Sequence, residues 1–352
     1  MAPPAPSPIP AGRPARHHGR GPASWSAGRW LQAAVLVLAL AGLTWFVVAE
    51  WSEVRAALDA LRDLRWGWMV PALAASIASI ALFAAVRVVL LGAGGTHMGL
   101  GRATAASFAS GAVAATVPAG GALATAYMVQ RYREAGADAG LAAWVTVASG
   151  VVAPAVLVAM TLTGVAVAGS SPAATVVPGA VALALVVGFF AVTRRPAVLH
   201  APTLAVVHAW HRLRRRPGAD DAHAVATEFV DRFAGIRAGV PRWVAAWSLQ
   251  VLSWLGEFVT LLASILAVGG TVPWGAVLAV YGTSQLAGAI PLVPGGAGQV
   301  EAVLVVGLTA AGTPTATALA AAVVFRLASH WLVVPVGWVC FGLLRRAVPP
   351  ME

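Results

Sequence analysis

Residues 274–311 read WGAVLAVYGTSQLAGAI, then PLVPGGAG, then QVEAVLVVGLTAA. Two apolar runs, Trp274–Ile290 and Gln299–Ala311, flank a break that carries Pro291, Pro294, Gly295, Gly296 and Gly298. Proline removes a backbone donor and glycine loosens a helix. At about 1.5 Å per residue neither arm comfortably crosses a hydrocarbon core of about 30 Å. The same pattern occurs earlier. Ala103–Val117 is apolar, Pro118-Ala-Gly-Gly121 interrupts it, and Ala122–Gln130 resumes. The two segments align without a gap at an offset of 176: Pro118 falls on Pro294, Gly120 on Gly296 and Gly136 on Gly312.

Composition sets the medium. Hydrophobic residues make up 59% of the 352 and charged residues 10%. A soluble domain carries about 25% charged residues and could not cover its surface with so few. Apolar runs of 18 or more residues read as membrane spans. The net charge of +10 comes from arginine, since the chain contains no lysine. These arginines sit in loops beside apolar runs, where they set membrane orientation, so the basic balance is not a nucleic-acid signature. The single cysteine, Cys340, lies in an apolar run. It excludes an internal disulfide and offers no metal cluster, and no cofactor-binding motif of the phosphate-cradling type is present.

Outward from the two broken segments, the expected spans are Leu31–Ala49, Trp66–Leu91, Leu141–Ala168, Thr175–Val192, Trp243–Val268 and Thr315–Leu344. The fold class expected is therefore an all-α integral membrane bundle of about six full spans plus two re-entrant broken-helix hairpins, about eight hydrophobic segments. Residues 1–29 read as a disordered basic cytoplasmic tail, rich in Pro, Ala and Gly. Trp51–Arg65 reads as a helix lying in the interface. Residues 194–242 form the one substantial polar loop, with nine arginines and four acids. Within it Val225, Phe229, Phe233 and Ile236 mark a short amphipathic helix.

Arginine-rich segments face the cytoplasm. That puts both termini and the 194–242 loop inside and the 50–65 segment outside. Arg102, Arg131 and Arg133 then place both ends of the first hairpin on the cytoplasmic side, with Arg131, Arg133 and Glu134 at the surface. The arginine-free flanks of the second hairpin place its ends outside. The halves, about 66–168 and 243–344, thus form an inverted repeat, in which paired interrupted helices point to a substrate site.

Four charges lie within apolar segments: Arg87, Glu257, Glu301 and Arg326. Such a charge costs about 3 kcal/mol or more at the bilayer centre and marks a pathway or a pair. Glu301 sits one turn into the half-helix after the break, and Arg326 is its expected partner. His330 follows Arg326 by four residues, on the same face, as a proton carrier or a hydrogen-bonded core histidine. Glu257 belongs to a polar stripe of Gln250, Ser253, Glu257, Thr260 and Ser264 that should face the bundle interior. Arg87 either anchors its span by snorkelling or contacts substrate.

The run from Pro291 to Glu301, with Gly312 and Phe325-Arg326, resembles the flippase-like membrane domain of lysylphosphatidylglycerol synthetases and its stand-alone relatives. Arg87, Pro118-Ala-Gly-Gly121, Arg131 and Gly136 agree in the first half. The resemblance covers about residues 30–346 and departs at Gln299-Val300, where apolar residues are more usual. It implies translocation or handling of a lipid, a membrane phospholipid or lipid-linked headgroup, by a protein that is not itself an enzyme. Only Ala347–Glu352 follow the last arginines, so the resemblance does not extend to aminoacyl transfer. The rival expectation is an accessory protein that docks a cytoplasmic lipid- or sugar-transferring enzyme at loop 194–242. On the translocase reading the substrate contacts are Glu301, Arg326, Pro294, Gly295, Gly296, Gly298, Pro118, Gly120, Gly121, Glu257, Arg87 and His330.

Overall fold

A computed structural model describes residues 59, 61–117, 120–169, 219–290 and 298–346, with scattered positions between 180 and 204. The tail 1–29, the span Leu31–Ala49, nearly all of the 51–65 helix, most of the span Thr175–Val192 and the loop up to residue 218 lie outside this set. So do Pro118, Pro294, Gly295 and Gly296.

The described residues fold into helices, with no strand among them. In chain order these are α1 Trp66–Leu91, α2 Leu100–Thr116, α3 Gly120–Glu134, α4 Ala139–Val167, α5 Ala219–Gly235, α6 Val240–Ala267, α7 Val277–Gly288, α8 Gln299–Ala310, α9 Thr315–Arg326 and α10 Val333–Arg346. A π turn, Leu327–Trp331, joins α9 to α10. Among the described residues four helices are long and apolar enough to cross a membrane: Trp66–Gly94, Ala139–Val167, Val240–Ala267 and the continuous Thr315–Arg346. Ile77, Leu252, Leu255, Val259, Val306, Val339 and Leu343 stand exposed on these and neighbouring helices. An apolar exterior of this extent suits lipid and not water.

The bundle is organised around the antiparallel pair α1–α6, its most extensive contact. Gly256 brings the helices together, for a Cβ there would lie 3.2 Å from the Ala75 carbonyl oxygen and 3.3 Å from the Ser79 Cβ. At the crossing the Ser79 and Ser253 hydroxyls stand 3.4 Å apart, and Ser253 donates to the Ser79 carbonyl at 3.0 Å. Thr260 donates to the Ala72 carbonyl at 3.2 Å. The polar stripe of α6 faces this interior: Gln250, Ser253, Thr260 and Ser264 are buried, while Val251, Leu252, Leu255 and Val259 face outward.

At several turns, residues 174 or 176 apart take matching conformations. The turn after α3 and the turn after α8 end in the same cap. Gly136 (φ 96°) donates to the Arg133 carbonyl and Gly312 (φ 91°) to that of Thr309. One residue on, Ala137 bonds Tyr132 and Thr313 bonds Leu308, each at 3.0 Å. Glycine suits this left-handed cap, which satisfies the last helical carbonyls. Ser79 and Ser253 are 174 apart, as are the left-handed Gly95 and Gly269 that follow α1 and α6. The link into the second hairpin is therefore two residues longer than the link into the first. Packing is exchanged between halves: α2 rests on α10, and α7 on α4. In the long helix of each half regularity lapses at the same level, at Pro154 in α4 and at the π turn in the other. His330 stands at the position equivalent to Pro154.

Within each broken pair the helices run antiparallel. Ser110 of α2 donates to the Ala124 carbonyl of α3 at 3.3 Å. A Cβ on Gly288 of α7 would meet Val300 of α8, and one on Gly307 would meet Val280. Helices α2 and α3, of 17 and 15 residues, are longer than the sequence pattern indicates, because Leu100, Gly101 and Arg102 enter α2, and α3 already begins at Gly120 and runs on through Arg131 to Glu134.

One sequence expectation is overturned. Arg131 does not lie at the surface but is 4% exposed. It pairs with Glu134 at 2.9 Å, donates to the Leu344 carbonyl at 3.5 Å and lies 5.0 Å from the Tyr127 ring centroid. The end of α10 covers it, a contact between residues 213 apart that no local pattern could report.

Helix α5 overlaps the expected amphipathic segment, starting six residues earlier, and buries Val230 and Phe233. It docks at the start of α4 through Arg232, which reaches Asp138 at 3.3 Å. Asp138 caps α4 by accepting the Leu141 N–H at 2.8 Å. That bond, with Arg232, holds its carboxyl below the ordinary value of 3.8. A depressed folded-state value stabilises above the ordinary one and is lost as pH falls through the folded one. Asp138→Ala should therefore lower thermal stability by about 1 kcal/mol at neutral pH, an effect that fades below pH 3.8 in parallel melts of both proteins.

Close helix approach gives a second test. A Cβ on Gly164 of α4 would lie 2.7 Å from the Leu278 carbonyl carbon of α7. Backbone cannot yield as a flexible side chain does, so Gly164→Val should cost about 1–3 kcal/mol, read as a lowered melting temperature in detergent.

Candidate functional site

Helix α8 begins where the second break ends. Gly298 takes φ 83°, a left-handed conformation that a side chain would strain. Glu301, three residues on, turns back to accept the Gly298 N–H at 2.8 Å. That satisfies one of the orphan donors of the helix start and sets a carboxylate against its positive end. The second carboxylate oxygen accepts Arg326 Nε at 2.7 Å. The Arg326 side chain is 7% exposed and that of Glu301 23%. Two elements thus fix one ion pair: the broken helix positions the acid, and α9 delivers the base from its last turn. The π turn begins at the next residue, Leu327, and its wider ring re-aims the residues beyond.

Those residues open onto a cavity of about 380 Å³. Arg87, Ser107, Ser110, Glu257, Ser329 and His330 supply its polar lining, and Phe83 lines it beside them. Arg87 donates to Ser107 Oγ at 2.9 Å and lies 4.1 Å from the Phe83 ring centroid. It points into the protein and does not snorkel outward. Glu257 accepts the Gln285 amide at 2.8 Å, which orients the carboxylate from α7. Arg326 stands within electrostatic range of both Glu257 and His330, so the ion pair and the cavity form adjoining parts of one charged region.

The candidates therefore separate. Glu301, Arg326 and Gly298 meet at the start of α8. Arg87, Glu257 and His330 share the cavity, although they come from three different elements. Gly120 opens α3 against α2, where a Cβ would lie 2.6 Å from the Val113 carbonyl oxygen, so its role there is close packing. Gly121 is exposed with open space beside it. Gln285, Ser107, Ser110 and Ser329 were not marked by the sequence pattern. Lone hydroxyls and amides in apolar helices are too common to signal a site.

These features define a polytopic α-helical membrane protein with two antiparallel broken-helix pairs and charge enclosed between its spans. The chain belongs to the family of the lysylphosphatidylglycerol synthase TM region, which matches residues 30–337. It is also similar to a UPF0104 membrane protein of Methanothermobacter thermautotrophicus, 32% identical over 89 residues. That match spans 25% of this chain and 26% of the relative.

Removing one member of an enclosed pair leaves an uncompensated charge, at a cost of about 3–5 kcal/mol, whereas removing both costs far less. Arg326→Met should melt well below the wild type, and Glu301→Gln combined with Arg326→Met should recover most of the loss. A double-mutant cycle of melting curves checks this.

Proposed function

We propose that this protein translocates a polar or charged lipid between membrane leaflets. The observation that carries the reading is the Glu301–Arg326 pair, 2.7 Å across, held at the mouth of a broken helix inside the bundle. A charged pair in such a place marks a pathway in a membrane protein. A headgroup that parts the two residues would compete for each with its own opposite charge. The backbone N–H groups at the starts of α3 and α8, which open after the breaks, would take further hydrogen bonds, since such groups cannot face lipid. We read both hairpins as re-entrant, with termini and loop 194–242 on the cytoplasmic side of the cell membrane. The two halves would then rock about the α1–α6 crossing to alternate access.

A second reading is an accessory protein that holds a cytoplasmic lipid- or sugar-transferring enzyme. Helix α5 favours it, because Val230, Phe233 and Arg232 dock it on the bundle while Glu228 and Asp231 remain exposed. Deleting residues 212–238 separates the two: a scaffold loses its partner in pull-downs, and a translocase still moves lipid.

The direct measurement is leaflet exchange of labelled phospholipids in proteoliposomes. The wild type should exchange at least one lipid class. Glu301→Gln and Arg326→Ala should each slow exchange about tenfold or more, with protein that elutes as a folded monodisperse species. Unchanged exchange in both variants would defeat the translocase reading.

A further inference from the structure

The cavity beside the ion pair holds one positive and one negative side chain that do not reach each other. Helices α1 and α6 are antiparallel and cross at Ser79 and Ser253. Arg87 lies eight residues beyond Ser79 on α1, and Glu257 four residues beyond Ser253 on α6, in the opposite direction along the pair. At a rise of about 1.5 Å per residue their backbones stand about 18 Å apart along the helices. Helical side chains lean toward their own N-terminus, which for both residues means toward the crossing. The Arg87 guanidinium shows this directly, stacked 4.1 Å from the ring of Phe83 one turn back. The two groups therefore face each other along the cavity, and no ion pair joins them.

Each end is built for one sign of charge. At the first, Ser107 accepts from the guanidinium at 2.9 Å and keeps its own O–H to donate, so donors converge. At the second, Gln285 anchors the Glu257 carboxylate at 2.8 Å. A simple anion would satisfy Arg87 and add net negative charge beside the Glu257 carboxylate. A simple cation would do the reverse. A ligand carrying both signs a few ångströms apart answers both ends without adding net charge to an enclosed site.

We propose that this cavity binds a zwitterionic phosphodiester headgroup, with the phosphate at Arg87 and Ser107 and a primary ammonium at Glu257. The proposal rests on the translocase reading for how a headgroup enters, and it adds the class of lipid. A hydrogen-bonding ammonium fits better than a trimethylated one. The carboxylate offers acceptors, and among the described lining residues Phe83, the one phenyl ring, already carries Arg87, so they build no aromatic cage for a quaternary group.

The test is binding, measured apart from transport. Purified full-length protein in neutral detergent is titrated with short-chain phosphatidylethanolamine and short-chain phosphatidylglycerol. The wild type should bind the ethanolamine lipid at least about tenfold more tightly. Glu257→Gln, nearly isosteric, should abolish that preference while holding phosphatidylglycerol affinity within about twofold. Arg87→Gln should weaken both lipids about tenfold or more, in keeping with loss of a charged hydrogen bond. Should Arg87→Gln fail to fold, Ser107→Ala serves in its place and should weaken both lipids equally. Equal affinities in the wild type, or a preference that survives Glu257→Gln, overturns the proposal. Preference without leaflet exchange keeps this site and removes the translocase reading. Exchange without preference does the opposite.

Discussion

The crossing of α1 and α6 holds the molecule together. Between helices in lipid there is little hydrophobic drive, so association relies on close packing and on hydrogen bonds. Gly256 and the hydroxyls of Ser79, Ser253 and Thr260 supply both. Ser79 and Ser253 occupy equivalent places in the two halves, and each meets its own counterpart at the centre. Once this pair is set, the exchange of packing follows. The broken pair of the first half leans on α10, the broken pair of the second on α4.

That exchange makes the interruptions tolerable. A broken helix leaves donors and acceptors that hydrocarbon cannot satisfy. Here several helix ends are finished by their own side chains or caps. Glu301 takes the N–H of Gly298, Asp138 takes that of Leu141, and the left-handed glycines 136 and 312 close the turns after α3 and α8. Glu301 serves twice, as cap and as partner of Arg326, which ties the geometry of the break to the charge balance of the interior. The two halves are unequal in this respect. At the offset of 176, Thr125 and Gly150 stand where Glu301 and Arg326 do, so the pair exists in the second half alone. A symmetric frame thereby carries an asymmetric site.

The π turn connects the two charged regions. It starts directly after Arg326 and contains Ser329 and His330, which line the cavity with Arg87 and Glu257. One continuous segment thus joins Arg326 to the lining of that cavity. A π turn is a local departure from the regular ladder, and such departures gather at functional sites.

Much of this was legible in the residues. Spans α1, α4 and α6 and both arms of each broken segment follow from apolar runs and from where Pro and Gly interrupt them. The inward face of α6 follows from polar residues at steps of three and four, because a helix has one period. The correspondence of Gly136 with Gly312 was visible too, since a left-handed cap needs glycine at a fixed place. Those features are local, and local sequence encodes them. What the tertiary structure decided was the company each residue keeps. Arg131 looks like a surface charge until the end of α10, 213 residues away, covers it. Arg87 looks free to snorkel until Ser107 and Phe83 turn it inward. Gln285 and the serines of the cavity carry no signal of their own. They join Glu257 and Arg87 because antiparallel packing places distant turns at one level, and no pattern along a single helix records which neighbour it will meet.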